Sequence, residues 1–261
     1  MTTTIHLDEH YTPRIDGSRQ TLRRFCGELI RVSAEDPRVL LAALVELYVL
    51  HAGVLRARPQ WLEDSARRCT KAGHRALAAD LERSAVIEHA HRKLLIDDLC
   101  HLGGHWQRYF GEDLDLYALI QRELDVHEAR LVDLRKWMVI AVPTTVAAFD
   151  YEFSSFIAAV APQLLDACEA TLGARIHDST SFLQARLGDT AVRLEGREAN
   201  LDAALAEHPE HGEAWARVNA RVMKTYVDTI ARRCELAVRA IEGELPRPLP
   251  STDPHPLPPI A

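Results

Sequence analysis

The chain has 261 residues, of which 47% are hydrophobic, enough for the core of one large domain or two small ones. Its formal net charge is −7, and its lysines and arginines do not cluster with aromatic residues, which argues against nucleic acid as a partner. The five cysteines are odd in number and far apart, which is typical of reduced packing residues in a cytoplasmic protein. The most apolar run, 39–55, contains Glu46 and His51 and is too short and polar to predict a membrane span.

The first part of the chain is predicted to be an arm followed by two helices. Residues 1–17 show no clear periodicity, so we expect a flexible N-terminal arm there. Apolar residues recur at helical spacing over 18–32. Asp36 and Pro37 then favour the start of a nearly all-apolar helix. One rotation of that helix would bury the carboxylate of Glu46.

The stretch 77–104 is predicted to form one long helix that ends at the Gly103-Gly104 pair. Its apolar stripe contains two polar residues, in the order Leu77, Leu81, Glu88, His91, Leu95 and Leu102. Because Glu88 and His91 are three residues apart, their side chains lie on the same side of the helix. Such a Glu-x-x-His pair supplies ligands in carboxylate-bridged di-iron bundles. A buried carboxylate needs a metal, a proton or a cationic partner.

A histidine also interrupts the next apolar seam, which runs from Leu116 to Met138 in a single predicted helix. His127 lies in line with Leu124, Leu131 and other leucines of this seam. Two interpretations stay open for such a histidine. It is either a functional base or ligand, or a core imidazole bonded to a carbonyl or carboxylate.

Two further helices each contain an acidic residue at or near an apolar face. Pro143 ends the preceding helix, and Thr144 is a plausible cap for the next one. That helix has phenylalanines at 149, 153 and 156, and one choice of seam buries Glu152 while another leaves it on the flank. The following helix, over 181–205, contains Asp189. The sequence therefore predicts several helices with acidic residues near the core.

The end of the chain changes character after a last predicted helix over 213–242. A His-Pro-Glu-His segment at 208–211 is predicted to be a turn, because its proline breaks the helical pattern. Seven of the thirteen prolines lie between 246 and 259, which is typical of an extended, disordered tail. The predicted organisation is an arm at 1–17, one helical bundle domain at 18–244 and a tail at 245–261.

The segment EHAHRKLLIDDLCHLG at 88–103 resembles the corresponding helix of heme-oxygenase-like di-iron oxidases. The resemblance extends loosely over 39–205. It implies an all-α, single heme-oxygenase-like bundle of about seven helices that holds one or two iron ions. The ligands implied by position are Glu46, Glu88, His91, Glu152 and Asp189.

The chain departs from the family's pattern in the late helix. That helix normally carries His-x-x-x-Asp-x-x-His, whereas ARLGDTAV at 185–192 keeps only Asp189. A site of this kind uses imidazole as well as carboxylate, so we expect weak and incomplete iron binding. His127 or His177 would replace the missing histidines only if the helices pack differently from those of the family.

Three functions follow as alternatives. The first is a non-heme iron oxidoreductase that uses O₂ to oxidise a small organic substrate, with all five predicted ligands converging in one interior site. The second is a metal-free enzyme of the same fold, as in its thiaminase-like and quinone-cofactor-synthase-like branches, with Glu88 and His91 as acid–base pair and His127 as their partner. The third is a non-catalytic member that binds a ligand or a partner protein. The predicted partners are a small molecule and O₂, without nucleic acid or membrane, and the chain could form a homodimer.

Overall fold

The computed structural model describes residues 4–53 and 56–243, and every regular element in these ranges is a helix. The prediction of an all-α protein is therefore confirmed. Ten α-helices and one 3₁₀ helix follow one another in these ranges: α1 (Ile5–His10), α2 (Thr12–Ser33), α3 (Pro37–Gly53), α4 (Arg58–Lys71), α5 (Arg75–Phe110), α6 (Leu116–Gln121), α7 (Val126–Ala141), α8 (Pro143–Leu172), the 3₁₀ helix (Ala174–Ser179), α9 (Ser181–Glu207) and α10 (His211–Ile241).

The prediction of a loose arm at 1–17 is wrong, because α1 and the start of α2 lie within it. Leu7, Tyr11 and Ile15 are almost completely buried, at helical spacing. The Leu7 amide donates to a carboxylate oxygen of Asp202 at 2.7 Å, which fixes α1 against α9. Residues 4–17 of the predicted arm therefore belong to the bundle, while residues 1–3 and the predicted tail at 245–261 lie outside the described residues.

The long central helix was predicted correctly in position but not in length. α5 continues through Gly103 and Gly104 and ends at Phe110. Gly111 adopts a positive φ of 72°, the left-handed conformation that favours glycine after a helix. A glycine inside a helix is destabilising by only about 1 kcal/mol, which tertiary packing can offset. The true helix end is therefore the glycine with the left-handed backbone.

The helix predicted over 116–138 is two helices, α6 and α7, separated at 122–125. Asp125 caps α7 in a capping box, in which its side chain accepts from the Glu128 amide while the Glu128 side chain accepts from the Asp125 amide. This cap sets the rotation of α7. It places Glu128 in the interior and leaves His127 exposed, so the prediction of a core position for His127 is wrong.

Helix α8 contributes to the middle of the core. Its aromatic side chains at 149, 153 and 156 are all buried, and Glu152 is buried beside them. Helices α4, α5, α7 and α9 all contact α8. Polar side chains on these five helices meet in the interior, in the region described below.

Among the described residues, no single helix is both long and apolar enough to cross a membrane. The bent pair Pro37–Gly53 and Arg58–Lys71 passes the same test by length and composition alone. Ten of the seventeen residues of Pro37–Gly53 are buried inside the bundle.

Candidate functional site: a buried arginine cluster

The five predicted metal ligands do not form one site. Each of the three glutamates pairs with arginine instead. Glu46 accepts hydrogen bonds from Arg122 at 3.1 and 2.5 Å and lies 3.5 Å from Arg233. Glu152 accepts two hydrogen bonds from Arg19, at 2.9 and 2.6 Å. These two carboxylates are therefore neutralised in separate ion pairs.

Glu88 and His91 share a face of α5, as predicted, but they have different partners. Both carboxylate oxygens of Glu88 accept from Arg186 Nη2, at 2.6 and 2.5 Å. Arg58 Nε lies 3.3 Å from the same carboxylate. His91 Nε2 lies 2.7 Å from an oxygen of Asp189, so two of the predicted residues do come together. Burial lowers the pKa of His91, which favours the neutral imidazole.

These surroundings do not fit the predicted iron site. No three of Glu46, Glu88, His91, Glu152 and Asp189 offer ligand atoms within 4.8 Å of one another. A guanidinium group occupies the place beside each glutamate where a metal cation would have to bind, and it repels such a cation. The two proposed substitutes do not complete a site either, because His127 is exposed and His177 pairs with Glu169 at 3.1 Å on the surface.

The Glu88–Arg186 pair belongs to a larger buried cluster in the middle of the bundle. Arg58, at the start of α4, donates to Asp150 on α8 at 2.5 Å. Arg197 on α9 lies 2.8 Å from the other oxygen of Asp150, and Ser84 donates to that oxygen at 2.6 Å. The cluster thus links α4, α5, α8 and α9.

The charges in the cluster perturb the pKa values of its carboxyl groups. Burial alone would raise the pKa of Asp150, but attraction to Arg197 and Arg58 outweighs it and lowers that pKa well below its usual range. Burial is likewise outweighed at Glu88, whose pKa is lowered by Arg186 and Arg58. Both groups are therefore carboxylates at neutral pH, which makes Glu88 a poor general acid.

A fourth arginine of this cluster, Arg135 on α7, has no acceptor among the described residues. Its side chain is only 4% exposed. All three of its guanidinium nitrogens are buried and lack a hydrogen-bond partner within residues 4–53 and 56–243. The group lies against two aromatic rings, 5.3 Å from the centroid of Trp61 and 4.9 Å from that of Phe149. Burial, with repulsion from Arg58, lowers the pKa of Arg135 to about 9.

Arg58 and Arg135 line one cavity. Nη1 of Arg58 is also buried without a partner in the described part of the chain. The cavity is small, with a volume of about 20 Å³ for water-sized molecules, and it is partly open to solvent. Its other walls are Trp61, Phe149 and aliphatic side chains. The arrangement combines unused guanidinium donors with flat apolar walls.

The sequence-based prediction of the site did not include these arginines, because it rested on acidic and imidazole side chains in apolar seams. A signal was present in the sequence. Arg135 lies at helical spacing between Leu131 and Met138, and all three are buried. Arg186 and Arg197 similarly share the buried face of α9 with Leu183 and Leu201. An arginine in an apolar seam indicates a buried charge, just as a glutamate in such a seam does.

Searches against models of protein families and against curated proteins found no match for this chain. The resemblance to heme-oxygenase-like oxidases remains a prediction from the segment at 88–103 and the order of the helices.

Proposed function

We propose that this protein binds a small organic anion, a carboxylate or a phosphate with an apolar body, in the cavity between Arg58 and Arg135. The observation that carries the proposal is the Arg135 guanidinium, which is 4% exposed and has no acceptor among the described residues. A buried charge without a partner is strongly unfavourable, so an anion that reached it would be bound with a large electrostatic gain.

The charge of the whole cluster supports an anionic ligand. Four buried guanidinium groups surround two carboxylates. Arg186 pairs with Glu88 and Arg197 pairs with Asp150. Arg58 contacts both of these carboxylates. The positive excess therefore falls on Arg135 and on the free Nη1 of Arg58. A planar carboxylate or a phosphate matches the donor geometry of guanidinium groups.

The walls of the cavity favour a ligand with a flat or apolar body. Trp61 and Phe149 present aromatic surface beside Arg135, and Leu62, Met138 and Val146 provide aliphatic surface. The cavity itself, about 20 Å³, admits little more than one water molecule, so a ligand enters only as side chains at its open side move apart. A compact anion the size of benzoate or phenyl phosphate requires less movement than a nucleotide or an extended lipid.

The geometry favours this binding function over the two enzymatic alternatives. In the acid–base alternative Glu88 must exchange a proton with substrate, but both of its oxygens accept from Arg186 and its pKa is lowered. In the iron alternative the glutamates must be free to bind metal, but each is paired with arginine. The His91–Asp189 pair is compatible with chemistry on a bound anion, although the anion site does not require it.

Thermal unfolding and calorimetric titration with three matched compounds test the proposal. Benzoate and phenyl phosphate carry the predicted charges, and benzamide is an uncharged molecule of similar shape. We expect at least one of the two anions to raise the melting temperature, because a ligand bound only by the native state stabilises it. Benzamide should have no comparable effect. The anion that binds more tightly shows whether the acid group of the ligand is a carboxylate or a phosphate.

Two arginine variants on the same helix complete the experiment. Arg135→Met should weaken binding of the active anion by at least about 10-fold, since a charge-assisted hydrogen bond contributes roughly 1.5–3 kcal/mol. Arg130→Met is the control, because Arg130 is exposed on α7 and its loss should leave binding unchanged. Equal binding by wild type and Arg135→Met, or binding of neither anion, would refute the proposal.

An anaerobic titration with Fe(II) compares the proposal with the oxidase prediction. We expect wild type and His91→Ala to contain the same background amount of iron. In the described ranges His91 belongs to no group of three His, Cys, Asp or Glu side chains whose ligand atoms lie within 4.8 Å of one another. Iron that binds to wild type and is lost from His91→Ala would support the oxidase instead.

A further inference from the structure

A second group of chemically active side chains, outside the arginine cluster, lies at the turn between α9 and α10. The turn has the sequence His208-Pro209-Glu210-His211. His208 follows the last residue of α9, and His211 is the first residue of α10. His74, the residue immediately before α5, lies beside this turn.

The side chains of the turn are close enough to share one ion. His208, Glu210 and His211 each offer a ligand atom, and these three atoms lie within 4.8 Å of one another. His208 Nδ1 is 3.1 Å from a carboxylate oxygen of Glu210. The rings of His208 and His211 are stacked with their centroids 5.0 Å apart. The ring of His74 is 5.5 Å from that of His208 and 6.0 Å from that of His211.

Nδ1 of His211 is available to an ion, because it is buried and has no hydrogen-bond partner in the part of the chain that the structure describes. A ring nitrogen without a proton is the atom that an imidazole offers to a metal.

The backbone holds the turn in place. A Cβ atom at Gly212 would lie 2.5 Å from the carbonyl oxygen of His10, so only glycine allows α1 to approach this closely. His211 also packs against Trp215, with ring centroids 5.7 Å apart, and Trp215 is fully buried. The turn is therefore anchored on two sides, which reduces the conformational entropy lost on binding an ion.

We propose that His208, Glu210 and His211 form a site for a divalent transition metal, with Zn²⁺ as the best-suited ion and His74 as the nearest candidate for a fourth ligand. Imidazole nitrogens with one carboxylate are a ligand set typical of Zn²⁺ and also suitable for Co²⁺, Ni²⁺ and Cu²⁺. Metal bound there would connect the start of α5 to the α9–α10 turn. The site is separate from the anion cavity, and neither proposal depends on the other.

Calorimetric titration of the untagged, metal-free protein with Zn²⁺ tests the site, and Co²⁺ absorption reports the coordination number. We expect one equivalent of Zn²⁺ to bind to wild type. The double variant His208→Ala/His211→Ala should bind at least about 100-fold more weakly, since even losing an outer-shell partner of a metal ligand weakens binding by roughly 10- to 100-fold. His177→Ala is the matched control, because His177 also pairs with a surface glutamate.

Two single variants keep the test decisive if the double variant does not fold. Glu210 is exposed, so Glu210→Gln should fold normally and yet weaken Zn²⁺ binding. His74→Ala should weaken it less than the loss of His208 or His211, and should change the Co²⁺ spectrum if His74 is a ligand. Zn²⁺ binding that is absent from wild type, or equal in wild type and Glu210→Gln, would overturn the proposal.

Discussion

Two groups of arginines and carboxylates lie wholly or partly buried in this bundle, and they differ in whether their charges are balanced. In the first, Arg233 pairs with Glu128 and lies 3.5 Å from Glu46, while Arg122 pairs with Glu46. Two cations thus meet two anions. In the second, four guanidinium groups surround Glu88 and Asp150. The first group is internally neutral, whereas the second has two positive charges in excess.

This difference indicates which group serves the fold and which serves a ligand. A balanced buried cluster satisfies its own charges, although it adds little stability relative to apolar residues of the same size. An unbalanced cluster destabilises the protein unless an anion from outside completes it. The orphaned Arg135 is therefore better explained by binding than by packing.

The largest expected effect comes from making the second group more unbalanced. Asp150→Asn removes one of its two carboxylates and leaves Arg58 and Arg197 without their shared counter-charge. We expect the free energy of unfolding to fall by about 3–5 kcal/mol, the range for breaking a buried ion pair. Urea denaturation of the two proteins measures it. A loss under about 1 kcal/mol would mean that the cluster is not ionised as described.

A slightly smaller loss of unfolding free energy is expected when the balanced group is broken. Arg233→Met leaves the almost fully buried Glu128 without its cation, and we expect destabilisation by roughly 2–4 kcal/mol in the same assay. The neighbouring Arg232 is paired with Glu235 at the surface. Arg232→Met should change stability by less than about 0.5 kcal/mol, and equal losses in the two variants would remove the distinction between buried and surface pairs.

The pH dependence of stability distinguishes the second group in another way. The folded-state pKa values of Asp150 and Glu88 are lowered, so in acid the unfolded chain binds more protons than the native one. Their contribution is complete above the ordinary carboxyl pKa values of about 4 and is lost as pH falls below them. Stability measured between pH 5 and 2 should therefore fall less steeply for Asp150→Asn than for wild type. Parallel curves of stability against pH for the two proteins would contradict the lowered pKa of Asp150.

The sequence predicted the helices better than it predicted the partners of their polar residues. The stripe of α5 and the phenylalanine face of α8 were visible because burial imposes helical periodicity. The pairing of Glu88 with Arg186 joins residues 98 positions apart, and that of Glu152 with Arg19 joins residues 133 apart. Such pairings depend on how helices pack, which local periodicity does not specify.

Some of the wrong predictions could have been corrected from patterns in the local sequence. Asp125 and Glu128 have the spacing of a capping box, which would have placed a helix start at 126 and changed the rotation assigned to His127. The N-terminal residues Leu7, Tyr11 and Ile15 have the four-residue spacing of a buried face, but the many polar residues between them obscured it. The length of α5 beyond Gly104 was not readable in this way, because packing decides whether a glycine is tolerated.

The smallest expected change is also the most direct test of the central claim that Arg135 is a buried cation without a counter-ion. Replacing it with methionine loses its contacts with Trp61 and Phe149, up to about 2 kcal/mol, but removes a desolvation penalty of several kcal/mol. Urea denaturation of ligand-free wild type and Arg135→Met should therefore show the variant to be more stable, by roughly 1–2 kcal/mol. A variant less stable than wild type by 1 kcal/mol or more would contradict the account.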